Sequence, residues 1–112
     1  MDRVKNDSYY LKKIDEDISF IILITKNISF EQYNKDTILN NAVNFRFIQI
    51  AENTKELSDE IILKDKTIPW AKISGLRNKI VHDYGNVYLD VIYETIKNDL
   101  PRLLVQIHNL ES

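Results

Sequence analysis

The run Gly75-Leu76-Arg77-Asn78-Lys79-Ile80-Val81-His82-Asp83-Tyr84 sets an arginine, a histidine and a tyrosine into a segment whose apolar residues, Ile73, Leu76, Ile80 and Tyr84, recur at three- and four-residue steps. Steps of that size put side chains on one face of an α-helix. Pro69 suits the first turn of such a helix, where its missing N–H is not needed, and Gly85 suits a left-handed cap just beyond it. The polar members bring chemistry. Arginine is permanently cationic and matches phosphate oxygens in pairs, histidine can exchange a proton near neutral pH, and tyrosine adds a hydroxyl. Together they suit phosphodiester chemistry. The same residues also read as an ordinary helix end, with a histidine near the negative pole of the dipole and an arginine stretched along an interface.

Outward from this helix the pattern stays helical. Over residues 8–26, Tyr10, Ile14, Ile18, Ile21 and Ile22 form one apolar stripe, opposite a solvated face of Lys12, Lys13, Asp15, Glu16 and Asp17. Ser29 with Gln32 three residues on makes a capping box. Over 37–57 two apolar sets interleave, Ile38, Ala42 and Phe45 on one side and Val43, Phe47, Ile50 and Ala51 on the other, which predicts a central helix covered on more than one face. A neighbouring helix or a second subunit could be that second cover. Ser58 can cap a short segment through Leu63, and 64–67 is a connection. Trp70 reads as a core or interface anchor. The last helix starts within 86–89 and repeats Leu89, Ile92, Ile96, Leu100, Leu103, Ile107 and Leu110, with Pro101 inside it predicting a kink. With two glycines and two prolines in 112 residues, hairpin turns are scarce, and the expected fold is an all-α bundle of about four to five helices.

A chain of this length makes one domain, 1–112, with a modest core. The lack of cysteine excludes disulfides, thiolate zinc sites and cysteine nucleophiles. The two histidines, His82 and His108, are far apart and no carboxylate pair is set by spacing to flank them on one face, so neither a metal nor a cofactor is expected; His108 reads as a surface residue. The most apolar stretch, 18–25, is too short to cross a bilayer and no signal core precedes it, which leads to the expectation of a soluble, cytoplasmic protein. A net charge of -2 argues against a broad basic surface for duplex DNA, so any nucleic-acid contact must be local.

Three words of the sequence, Ile68-Pro69-Trp70, then Gly75 to Tyr84, then Lys97-Asn98-Asp99-Leu100-Pro101, resemble in order and spacing the HepT-like toxins of the HEPN superfamily. The family signature, an arginine, four residues, a histidine, one residue and a tyrosine, falls on Arg77, His82 and Tyr84. Upstream, Phe47-Ile48-Gln49-Ile50-Ala51-Glu52 is a weaker match to a family run ending I-G-E-A. Relatives commonly carry an acidic cap where this chain has Tyr88, which leaves Asn86 to cap the last helix. The resemblance implies a HEPN-type bundle, a homodimer with a cleft at its interface, and endoribonuclease activity. It also implies a partner, a small nucleotidyltransferase antitoxin of the MNT type that moves AMP from ATP onto Tyr84.

The residues support metal-independent RNA cleavage in which a ribose 2′-hydroxyl attacks the adjacent phosphate. His82 would take or deliver the proton, and Arg77 would bind the phosphate and stabilise the developing charge. Asn78 would orient His82 or donate to phosphate, or is a plain surface amide, and Asp83 reads as a helix-end polar residue. Geometry adds a constraint. At about 100° per residue Arg77 borders the apolar arc, while His82 falls about 140° away from it. Either the helix loosens toward Gly85, or two copies share a groove across a two-fold axis, the option the resemblance favours. Two rival readings stay open: a non-catalytic HEPN subunit that presents a nucleotide or substrate to a nucleotidyltransferase, and a plain helical dimerisation module.

Overall fold

Asn6 opens the first helix, α1 (Asp7–Ile24), by accepting the Tyr9 N–H at 3.1 Å on its side chain. The computed structural model describes residues 5–82 and 88–112. The buried stripe of α1 is Leu11, Ile14, Ile18 and Ile21, with Tyr10 and Ile22 half-buried at its edges. The helix ends at Ile24, two residues short of the expected 26, where the Thr25 hydroxyl donates to the Ile21 carbonyl at 2.7 Å and Asn27 turns the chain with a φ of 60°.

The capping box is present. Ser29 accepts the Gln32 N–H at 3.2 Å and the Gln32 side chain accepts the Ser29 N–H at 2.9 Å, starting α2 (Phe30–Lys35). Asp36 caps the long central helix α3 (Thr37–Thr54), and Ser58 caps the short α4 (Asp59–Lys64). The Asp7 carboxylate accepts both the Ser58 N–H at 2.8 Å and the Ser58 hydroxyl at 2.6 Å, tying the start of α1 to the start of α4. These two bonds hold the Asp7 carboxyl below its ordinary pKa.

The motif helix α5 runs Trp70–His82, with Pro69 just outside it and the Pro69 carbonyl accepting the Ile73 N–H at 3.2 Å. The chain then forms α6 (Leu89–Glu94), a five-residue π-helical segment (Thr95–Asp99) and α7 (Leu100–Glu111). Pro101, where the sequence predicts a kink, follows this widened turn. Leu100 N–H donates five residues back to Thr95, so the wider turn lies just upstream of the residue that has no donor, and the rod continues. The cap expected of Asn86 lies outside the described residues. Tyr88 precedes α6 and makes no side-chain cap bond.

Four long rods, α1, α3, α5 and the α6–α7 run, therefore make an all-α bundle among the described residues, with α2 and α4 as short connectors. α3 packs against α1 and α5, and α1 also packs against α7. The core is one cluster in which Ile14, Ile18, Val43, Ile50, Ile92 and Ile107 are buried. Removing a fully buried isoleucine side chain from such a core costs about 3 kcal/mol. The expected double cover of α3 is found on one side only. Val43, Phe47, Ile50 and Ala51 are buried, whereas Ile38 is 83% and Phe45 55% exposed. No helix among the described residues is long and apolar enough to cross a membrane.

Candidate active site

α5 rests on α3 through its apolar arc, with Ile80 buried and Ile73 and Leu76 half-buried against the core. This places Arg77 at the margin of the arc, as the helical count requires. Its guanidinium is half-buried, and Nε donates to Oε2 of Glu52, on α3, at 3.1 Å. Nη1 donates to Oδ1 of Asn78 at 3.2 Å. Lys55, one turn beyond Glu52, has its Nζ 3.6 Å from the same Oε2, so one carboxylate oxygen sits between two cations.

His82 is the last residue of α5 and is exposed. α5 is α-helical through this residue, so loosening before His82 does not bring the imidazole round toward Arg77. Among the described residues no hydrogen bond joins the two. Asp83, Tyr84, with its expected AMP modification, and Gly85 lie outside the described residues. Beyond them, Lys79 reaches the face of Tyr88, with its Nζ 5.9 Å from the ring centroid. Asn78, open between three readings in the sequence, has its amide oxygen on Arg77.

Glu52 is the residue that sequence reasoning missed. It lies 25 positions before Arg77, and as a single acid near the end of a helix it carries no periodic signal. The word Ile50-Ala51-Glu52 was the available pointer. Trp70 packs against the core, as expected of an anchor, while its Nε1 is buried without an acceptor among the described residues. Beneath α5, Phe47, Ile50, Ile73 and Leu76 border an apolar cavity of about 30 Å³, room for about one water. The Lys72–Asp99 ion pair crosses from α5 to the π-helical segment at its rim.

His108 is exposed, as expected of a surface residue, and what the fold corrects is the expectation that no carboxylate pair flanks either histidine. The His108 Nε2 is 2.8 Å from Oδ2 of Asp15, and Asp15, His108 and Glu111 bring ligand-type atoms within 4.8 Å of one another. A carboxylate pair does flank this histidine, which spacing could not reveal because α1 and α7 supply its members from opposite ends of the chain. Their mutual contacts account for the cluster.

Comparison with known proteins gives a consistent result. The family model described as "Ribonuclease HepT-like" matches residues 14–110. A protein of Caldanaerobacter subterraneus subsp. tengcongensis that is provisionally named an RNase is 35% identical over 96% of this chain and 96% of its own. The "Probable ribonuclease HepT" of Thermococcus cleftensis is 32% identical over 84% of this chain and 86% of its own. A provisionally named RNase of Methanocaldococcus jannaschii is 28% identical over 90% of this chain and 84% of its own. No solved structure matches the chain. With an all-α bundle, an arginine and a histidine on one surface helix, and a family match over nearly the whole length, the chain belongs to the ribonuclease HepT-like family.

Proposed function

We propose that the protein is a metal-independent endoribonuclease, the toxin of a two-component pair whose antitoxin is an MNT-type nucleotidyltransferase. The observation that carries this reading is the state of Arg77 in a ribonuclease HepT-like chain. It is held by its Nε at the surface, on the same helix as an exposed His82. A buried arginine locked in a two-pronged ion pair would be closed off from an incoming phosphate and would have fewer donors to offer it.

In the reaction, the RNA 2′-hydroxyl attacks the adjacent phosphorus, the bond to the 5′-oxygen breaks, and a 2′,3′-cyclic phosphate and a 5′-hydroxyl result. One proton leaves the 2′-oxygen and one reaches the departing 5′-oxygen. His82 serves one of these transfers, since histidine titrates near neutral pH. Arg77 neutralises charge on the phosphate oxygens as the phosphorus gains its fifth bond. The angular separation of the two residues on α5 supports a homodimer in which Arg77 of one protomer and the imidazole of another meet in one groove.

Silencing follows from charge. AMP attached to Tyr84, two residues beyond His82 in the chain, would introduce a phosphate that competes with RNA for Arg77 and obstructs the groove. The antitoxin would act both by making complex with the toxin and by this transfer, in the cytoplasm where RNA and ATP are both present.

The same angular separation favours one alternative, a non-catalytic subunit that binds a nucleotide or substrate for a partner nucleotidyltransferase. Incubation with total RNA in EDTA decides between them. Fragments ending in 2′,3′-cyclic phosphate, lost in Arg77→Ala and His82→Ala, support the nuclease; RNA left intact by the wild-type dimer supports the binding subunit.

A further inference from the structure

The Arg77–Glu52 contact joins α5 to α3 through a single edge of the guanidinium. Nε is turned inward onto Oε2 of Glu52 at 3.1 Å, and Nη1 is steadied by Oδ1 of Asn78 at 3.2 Å. A carboxylate bound side-on to Nε and one Nη, or end-on to both Nη atoms, would take two of the five donors and one of the paired edges that match a phosphate. Here the carboxylate takes one donor, and three of the five N–H groups have no partner among the described residues. Lys55 lies 3.6 Å from the same oxygen and offsets its charge.

We infer that Glu52 is a positioning residue for Arg77, fixing the guanidinium by its inner edge so that the outer nitrogens face the RNA phosphate. An arginine side chain loses rotamer freedom when it is fixed. If that ordering is complete before substrate arrives, binding RNA does not have to supply it. The Glu52 backbone sits on the central helix, whose neighbouring Ile50 and Ala51 are fully buried, so the base of the anchor belongs to the packed core. The inference rests on the assignment of Arg77 to the phosphate.

The test compares wild type, Glu52→Gln and Glu52→Ala in two measurements. The first follows cleavage of a fluorescent single-stranded RNA in EDTA, with kcat and KM separated. The second follows the Arg77 Nε–H resonance by ¹⁵N NMR, assigned with Arg77→Lys. Glu52→Ala should lower kcat/KM by about 100-fold, the cost of a misplaced group near the chemistry. It should also lose the ordered Nε–H signal while the melting temperature stays within a few degrees. Glu52→Gln, which keeps an acceptor oxygen, should recover most of both. Full activity in Glu52→Ala, or an unaltered Nε–H signal there, overturns the inference. If the wild-type protein cuts no RNA, the nuclease reading fails instead, and the resonance alone decides whether Glu52 holds Arg77.

Discussion

Oδ1 of Asp17 lies 2.8 Å from Nη1 of Arg46, and the guanidinium stacks 3.9 Å over the Phe20 ring, so a charged pair and a cation–π contact seal the side of the α1–α3 seam. Burial raises the Asp17 carboxyl above its ordinary pKa, with the Arg46 hydrogen bond and charge acting against that rise. Arg46→Ala removes the compensation and leaves a buried carboxylate, which should cost about 2 kcal/mol at neutral pH by urea unfolding. An acid whose folded pKa is raised stabilises the fold below its unfolded pKa and loses that contribution as pH rises through the folded one. The Arg46→Ala deficit should therefore shrink below about pH 4, where the carboxyl is neutral in both states. A deficit that is constant with pH would show that Arg46 acts only through its packing on Phe20.

A second pH effect comes from the far end of the α1–α7 contact. The Glu111 carboxyl is pushed up to about 7, first by desolvation and then by its hydrogen bond to Asp15 and the charge of Asp15, with His108 and Lys12 opposing. Its contribution is fully present below the ordinary carboxylate value of 4.5 and is lost as pH rises through about 7. Glu111→Gln retains a donor toward Asp15 and cannot ionise. In thermal melts it should flatten the decline in stability between those two pH values, and an unchanged slope would assign the decline to another group.

Much of this was readable because helical structure is local. The Ser29/Gln32 box, the Ser58 cap and the repeat from Leu89 to Leu110 each depend on residues within a turn or two of one another, and each is found in place. What the sequence concealed is what the third dimension supplies. Glu52 meets Arg77 across two helices, Asp15 meets His108 across nearly the whole chain, and neither pairing leaves a period in the sequence. The widened turn at Thr95–Asp99 was seen only as a proline in the wrong place, since a missing donor shows where a ladder must break and not how the chain repairs it.

Catalysis should depend on Arg77 and His82 unequally with pH. Arg77→Ala should lower RNA cleavage by at least about 100-fold at every pH, because the guanidinium stays charged throughout. His82→Ala should lower it by about 100-fold or more and should also change the shape of the pH profile, since it removes a proton-transfer group. Circular dichroism of His82→Ala should match wild type, as the side chain is exposed. An His82→Ala protein that keeps both its rate and its pH profile in EDTA would remove the histidine from the proton transfers.

The uncovered side of α3 gives the proposed dimer a test. Ile38 and Phe45 lie seven residues apart, two helical turns, on the face opposite the buried Val43 and Phe47. If a second copy covers this face, Ile38→Glu with Phe45→Glu should convert a dimer into a monomer by light scattering at micromolar concentration while leaving the helical content unchanged. RNA cleavage should fall with it, because Arg77 and His82 of one chain lie on different sides of α5. A double variant that remains dimeric would move the interface elsewhere, and a monomer that still cuts RNA would show that one chain contains the whole site.

The last prediction concerns where AMP would be attached in the proposed transfer, since three tyrosines follow the motif histidine. Tyr93 is engaged: its hydroxyl donates to the Ile28 carbonyl at 2.7 Å and its ring packs against Phe30 and Tyr33, so transfer to it would break a bond that joins α6 to the α1–α2 turn. Tyr88 is the real competitor, being 54% exposed with its ring beside Lys79. Tyr84 is nearer in the chain to His82, two residues on against six for Tyr88, and it is the tyrosine of the proposed modification. With a cognate nucleotidyltransferase, ATP and Mg²⁺, the protein should gain one or more AMP masses that peptide mapping assigns to Tyr84. Tyr84→Phe should still cut RNA yet escape silencing by modification, because the ring is retained and the acceptor oxygen is gone. Adenylylation and silencing that persist in Tyr84→Phe and vanish in Tyr88→Phe would make Tyr88 the acceptor and would place the regulatory phosphate at the start of α6.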